Sequence, residues 1–290
     1  MPIAALTFAF DPVVHLAGDA SVRLETIVVA AVLLAGLGLA ARIGRLTPAV
    51  GPYVPAPGLR PDDLLFIAVG AVPGAVFGGR LGYVLDHLDY YRANAGAITD
   101  LSQGGLSLTL AVPLGIVTGA IIARLIGSPV ARWMHAAAFP LLFVLAAGKL
   151  AGVLGATGQG LAADAPWATA YLGPGPWGSL AADVASQPAQ VFEALLVAAA
   201  IGILILASRF EVIARRDGGA LFAAVGLWAL ARFVVAFTWR DPAILGPLRI
   251  DQVLSLLLIG LSVIGLVERR RAPFRTAGWS EADLEPEPAE

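Results

Sequence analysis

Residues 64–85 read LLFIAVGAVPGAVFGGRLGYVL, with Arg80 as the single charge. A helix needs roughly 20 predominantly apolar residues to cross a bilayer, and this stretch supplies them. Comparable runs occur at Leu24–Ala41, Leu106–Ile126, Trp133–Leu154, Pro188–Ala207, Gly218–Phe237 and Ile250–Val267. The composition agrees: 58% of residues are apolar and only 14% charged, the balance of an integral membrane protein. The chain therefore reads as all-α, a polytopic membrane protein with about seven transmembrane helices.

Arginines set the expected orientation. One set of connections carries Arg42, Arg45, Arg60, Arg124, Arg132, Arg209, Arg215, Arg216, Arg269, Arg270, Arg271 and Arg275; the other carries only Arg23, Arg92, Arg240 and Arg249. The richer side is expected to be cytoplasmic, which puts the N-terminus outside and the C-terminus inside. The first residues lack a basic leader and are interrupted by Asp11, Pro12, His15 and Asp19, so the first apolar run is expected to be a retained span rather than a signal peptide. Residues 1–275 form one expected membrane domain, and the acidic, proline-containing residues 276–290 an expected disordered cytoplasmic tail. The external connection at about 155–187 has no Lys or Arg and carries Trp167, Tyr171 and Trp177. It is expected to lie along the interface with its rings at headgroup level.

Several function classes drop out. A net charge of −2 offers nothing to a nucleic acid. The chain has no cysteine, hence no disulfide, thiolate metal site or cysteine nucleophile of its own. Its three histidines, His15, His87 and His135, are dispersed, so neither a metal centre nor a cofactor is expected.

What remains is a layer of polar residues at one depth. Arg80, Lys149 and Arg232 each lie a little over one turn before the outer end of an outward-running span, while Thr109, Gln190, Glu193 and Asp251 lie near the outer start of inward-running ones. At 1.5 Å per residue these side chains fall in a layer on the order of 10 Å deep. Cations inside a membrane are costly and mark functional sites, so a shared pocket for an anionic lipid headgroup is expected there. The bland reading is that each basic side chain snorkels to the interface, with Glu193 a salt-bridge partner. Gly104 and Gly105, before Ser107, are expected to expose backbone amides where the third span begins, a place that favours anions.

At these segments the chain resembles the prolipoprotein diacylglyceryl transferase family of bacterial inner-membrane proteins, in order and over nearly its whole length. Gly78-Gly79-Arg80-Leu81-Gly82-Tyr83-Val84-Leu85 with Asp89-Tyr90-Tyr91 is the most specific match; the early Phe10-Asp11-Pro12 with Gly18 is similar too. Gly104-Gly105-Leu106-Ser107 resembles the start of the family's Gly-Gly-Leu-Ser-Phe-His-Gly-Gly motif. Gln187-Pro188-Ala189-Gln190-Val191-Phe192-Glu193-Ala194 resembles its His-Pro-Ser-Gln-Leu-Tyr-Glu-Ala stretch, and Arg232-Phe233-Val234-Val235 with Arg240-Asp241-Pro242 its later arginine region.

The resemblance implies transfer of the diacylglyceryl group of phosphatidylglycerol to the lipobox cysteine of a preprolipoprotein, in the cytoplasmic membrane of a bacterium. It implies Lys149, Glu193 and Arg232 as catalytic candidates. Arg80, Gly104, Gly105, Ser107, Thr109, Lys149, Gln190 and Arg232 become lipid-binding candidates. The chain also departs from the pattern: the motif's signature histidine is Thr109, an arginine is Lys149, and the asparagines and glutamate that follow it are gone. Lysine keeps the charge of arginine but loses its bidentate grip on phosphate. Threonine is no general base near neutral pH, which leaves His87 and Glu193 as candidate replacements. Two further readings stay open: a non-catalytic relative that binds an anionic phospholipid or a lipoprotein signal segment, and a small-molecule transporter. Against the last stands the lack of an inverted repeat. A retinal-type protein is disfavoured because the chain's lysine, Lys149, is on the fourth span and not the seventh.

Overall fold

The computed structural model describes residues 6–16, 20–47, 59–100, 104–210 and 218–271. Gly18, Arg215, Arg216, Arg275 and the tail at 276–290 lie outside them. Among the described residues seven helices are long and apolar enough to cross a membrane. They are α1 (Leu24–Leu46), α2 (Pro61–Asp86), α4 (Leu108–Leu125), α5 (Val130–Ala151), α6 (Ala189–Arg209), α7 (Gly219–Val235) and α8 (Ile250–Arg271), with a short α3 (Leu88–Ala93) between α2 and α4. Hydropathy places the spans but ends them early where charge begins. Helix α1 runs on through Arg42 and Arg45, and α8 through Arg269–Arg271, because arginine is a good helix former whatever its hydropathy. Helix α2 starts at Pro61 with Asp62 and Asp63 in its first turn, a residue whose missing N–H costs nothing there followed by charges that suit the helix dipole.

Helix α7 is the most enclosed span, 56% buried over its apolar window, and α1 the least, 11%. So α7 is the axis, and its Ala224 and Trp228 pack with Leu142 and Leu145 of α5, Val197 and Leu204 of α6 and Leu258 of α8. Helices α2 and α4 form a second unit. Gly70, Gly74, Gly78 and Gly82 recur every four residues along one face of α2. A Cβ at Gly74 would come 2.3 Å from the Leu114 carbonyl oxygen, and one at Gly78 2.3 Å from that of Leu110. Hydrogen in place of a side chain lets the two backbones touch, the usual way membrane helices gain packing energy. At the arginine-rich end a polar network ties the start of α2 to α5 and to the connection ahead of α5. Arg60 pairs with Asp63 at 2.9 Å, Ser128 Oγ donates to Asp63 Oδ2 at 2.9 Å, and Trp133 Nε1 donates to Ser128 Oγ at 2.9 Å.

The opposite end carries a small cap that span arithmetic does not foresee. Strand β1 (Leu6–Phe8) pairs in parallel with β4 (Thr169–Tyr171), and β2 (Val13–His15) pairs antiparallel with β3 (Ser21–Arg23). Within the 155–187 arm, Tyr171 turns into the protein. Its ring stacks on Phe8 at 5.0 Å and meets Trp177 at 5.0 Å, and it is 1% exposed. Burial pushes its hydroxyl up to about 12. Trp167 is the ring that stays exposed. Arg240 locks the arm to the bundle: its guanidinium donates to the Gly160 carbonyl at 2.6 Å, to Ser186 Oγ at 2.7 Å and to Ser179 Oγ at 3.2 Å.

Candidate functional site

Successive spans reverse direction, so the last turns of α5 and α7 share an end of the bundle with the first turns of α4, α6 and α8. Five polar side chains from those five helices meet there. Glu193 of α6 is fully buried and holds two cations, Lys149 Nζ on Oε2 at 2.8 Å and Arg232 Nη1 on Oε1 at 2.9 Å. Arg232 Nε donates to Thr109 Oγ1 at 3.0 Å, and Arg232 Nη2 stands 3.5 Å from Asp251 Oδ1. The Thr109 hydroxyl donates to that same Asp251 oxygen. Two cations and two carboxylates thus form one chain across the bundle, Lys149–Glu193–Arg232–Asp251, with Thr109 bridging the last two. Removing one partner of such a buried set would strand a charge, which is what holds these helix ends together.

An aromatic wall closes one side. The Trp239 ring centre lies 4.6 Å from the Arg232 guanidinium carbon and 5.7 Å from Lys149 Nζ, so one indole faces both cations. Arg249 holds this residue in place by donating to the Trp239 carbonyl at 2.8 Å. Within the network the Lys149 side chain keeps 21% exposure, against 4% for Arg232 and 1% for Glu193. Lys149 is therefore the cation a ligand can reach first.

Of the three cations expected to share one pocket, two are neighbours in the structure. Lys149 and Arg232 come together through Glu193. Arg80 instead organises the connection after α3. It donates to the carbonyls of Ile98 at 2.7 Å, Ala97 at 2.5 Å and Asp100 at 2.9 Å, and stands 5.2 Å from the Tyr91 ring centre. Ala97 and Ile98 end a 3-10 turn (Ala95–Ile98) and Asp100 follows it closely, a place where carbonyl dipoles favour a cation. Gly104, at φ +95°, turns the chain ahead of α4, and the Ser107 amide donates to the Gly79 carbonyl at 2.8 Å rather than standing open. The Tyr83 ring covers both Gly104 and Gly105. Gln190 packs toward Gly158 and Tyr171, its amide 3.5 Å from the Tyr171 hydroxyl. His87 stacks on Tyr83 at 4.2 Å, with its Nδ1 3.0 Å from the Tyr83 carbonyl. Among the described residues no group of three or more His, Cys, Asp or Glu could hold a metal ion.

Sequence reasoning undervalued two members. Asp251 lies in the polar layer, but a carboxylate at a helix start needs no other explanation, so its pairing with Arg232 and Thr109 is not legible in the chain. Trp239 follows a span and so resembles an interface-belt residue; its place over two cations is a matter of tertiary geometry. Glu193 is expected from the sequence as a salt-bridge partner of one cation; that it holds both is decided by the helix packing.

Comparison with known proteins bears on what this site serves. Residues 12–268 match the family model described as prolipoprotein diacylglyceryl transferase. Phosphatidylglycerol–prolipoprotein diacylglyceryl transferase of Geobacter sulfurreducens is 29% identical over 226 residues, covering 73% of this chain and 81% of that one. The protein of that name from Acaryochloris marina is 26% identical over 258 residues, covering 88% and 89%. A Bacillus anthracis protein of the same name is 29% identical over 258 residues, covering 88% and 90%. The match runs from the strands ahead of α1 to the last turns of α8, and on that extent the chain belongs to the prolipoprotein diacylglyceryl transferase family.

Proposed function

We propose that this protein transfers the diacylglyceryl group of phosphatidylglycerol to the lipobox cysteine of preprolipoproteins. It would do so in a bacterial cytoplasmic membrane, with its N-terminus and the polar cluster toward the outer face. The observation that carries the reading is the pair of cations, Lys149 and Arg232, held on one buried carboxylate. In the reaction a C–S bond forms at the glyceryl carbon, the C–O bond to phosphate breaks, and glycerol phosphate departs with an added negative charge. Cations fixed beforehand in a low-dielectric site strengthen their hold as that charge grows, the usual source of the largest rate gain. Glu193 keeps the two cations in place, and the phosphate oxygens compete for them through the reachable Lys149. Asp251, Thr109 and Trp239 hold Arg232 in orientation. Arg80, Gly104, Gly105 and Ser107 shape the neighbouring loop, and Gln190, on the same helix as Glu193, reaches Tyr171 of the arm.

One observation favours a second reading. Both cations already rest on carboxylates, and Thr109 stands where the resemblance places a histidine, as suits a relative that binds an anionic phospholipid or a signal segment without chemistry. The test is complementation in bacteria depleted of their own diacylglyceryl transferase, with a reporter lipoprotein read by mass. Restored lipidation that disappears with Lys149→Ala or Arg232→Ala is expected. Stable membrane expression without lipidation, together with no thioether product from purified protein in phosphatidylglycerol vesicles, would sink the enzymatic reading and leave the binding one.

A further inference from the structure

The transfer reaction has to dispose of the thiol proton, and the cluster contains two carboxylates that could take it. Glu193 is the poorer choice. It is held by two cations at 2.8 and 2.9 Å, so a proton on it would undo two charge-assisted bonds, and its side chain is 1% exposed. Asp251 faces a single cation at the looser distance of 3.5 Å, and its side chain keeps 10% exposure. Thr109 is no base itself, but it orients the one beside it. A hydroxyl has one hydrogen; Arg232 Nε occupies the oxygen's acceptor side, so the hydrogen is aimed at Asp251 Oδ1. Asp86, at the end of α2, lies within electrostatic reach of Asp251, and its Oδ1 is buried with no hydrogen-bond partner among the described residues. The histidines are engaged elsewhere: His87 lies on Tyr83, His15 pairs with Asp11 at 3.6 Å, and His135 sits in the first turns of α5, at the other end.

Resting on the transfer reading above, we propose that Asp251 is the proton acceptor of the reaction, with Thr109 as its positioning residue. As sulfur bonds to the glyceryl carbon, the C–O bond breaks with its electron pair on the phosphate oxygen, and the S–H proton passes to the Asp251 carboxylate. The departing glycerol phosphate is a monoester with a second pKa of about 6, so it can carry that proton away and return Asp251 to its charged form.

The test uses the full chain in phosphatidylglycerol vesicles, with two lipobox peptides that differ only in cysteine or selenocysteine. A selenol is ionised at neutral pH and brings no proton to remove. Asp251→Asn keeps the size and the acceptor for Thr109 but not the basicity. The cysteine peptide is expected to react ~100-fold or more slowly with this variant, the usual worth of a general base, and the selenocysteine peptide only a few-fold more slowly. The ratio of the two rates within one preparation does not depend on how much of the variant folds. Equal losses with both peptides, a cysteine rate within a few-fold of wild type, or a larger selective loss in Asp86→Asn would each overturn the assignment while leaving the transfer reading intact. Wild-type protein that forms no product from either peptide overturns both.

Discussion

Glu193 carries more of the site than its single charge implies, because one buried carboxylate balances Lys149 and half of Arg232. Glu193→Gln leaves Lys149 without its carboxylate and Arg232 with Asp251 alone, and is expected to lower stability by about 3–5 kcal/mol, the range for breaking a buried pair from one side. Lys149→Met leaves Glu193 with Arg232 and removes a partly exposed charge, so the loss is expected to be on the order of 1 kcal/mol. Thermal unfolding in detergent should rank the two variants in that order; the reverse order would mean that Lys149, not Glu193, is the keystone. Tyr171 offers a check outside the spans. Its hydroxyl titrates higher in the folded protein than the ordinary value near 10, so the stability tied to its neutral form is present below pH 10 and is lost as pH climbs toward 12. Tyr171→Phe is expected to flatten that alkaline decline in a pH series of melting temperatures. At this scale the sequence told which residues were costly to bury. It did not tell that Arg80 would be spent on loop carbonyls, since any cation at that depth looks alike until its neighbours are known.

Among the elements, the α2–α4 pair is the one whose packing can be read as a spacing. Gly70, Gly74, Gly78 and Gly82 share a face because residues four apart lie one above the other on a helix. Gly74→Val would press a side chain onto the Leu114 carbonyl and is expected to cost upward of about 1–3 kcal/mol, the penalty of overpacking a tight contact. Gly38→Ala, in α1 with nothing within 4 Å of its added carbon, is the matched control and should leave unfolding unchanged or slightly later. The same scale shows where hydropathy fails. It stopped α1 and α8 at their arginines and opened the third span at Leu106, two residues before α4 begins at Leu108. Both errors come from treating helicity and lipid solubility as one property.

For the whole molecule, the cap and the bundle are joined by polar contacts, Arg240 foremost, and not by apolar packing alone. Arg240 reaches three acceptors in the 160–186 stretch, and the Thr157 hydroxyl donates to Glu25 at 2.5 Å at the start of α1. Arg240→Gln is expected to raise amide exchange across residues 160–187 while α5, α6 and α7 stay protected. Unchanged exchange in the arm would assign its order to the Phe8–Tyr171–Trp177 stack instead.

The sequence by itself determined the number of spans, their approximate limits and the depth of the polar layer. Each of these follows from the cost of placing a backbone or a charge in hydrocarbon, a cost that one chain segment carries alone. Only the tertiary structure decided which charges at that depth are partners. Helices α4, α5, α6, α7 and α8 had to be rotated and set side by side before Glu193 could choose Lys149 and Arg232, and before Asp251 could find Thr109. Depth is a one-dimensional property of the chain, whereas contact depends on azimuth and neighbour order, which no single span encodes.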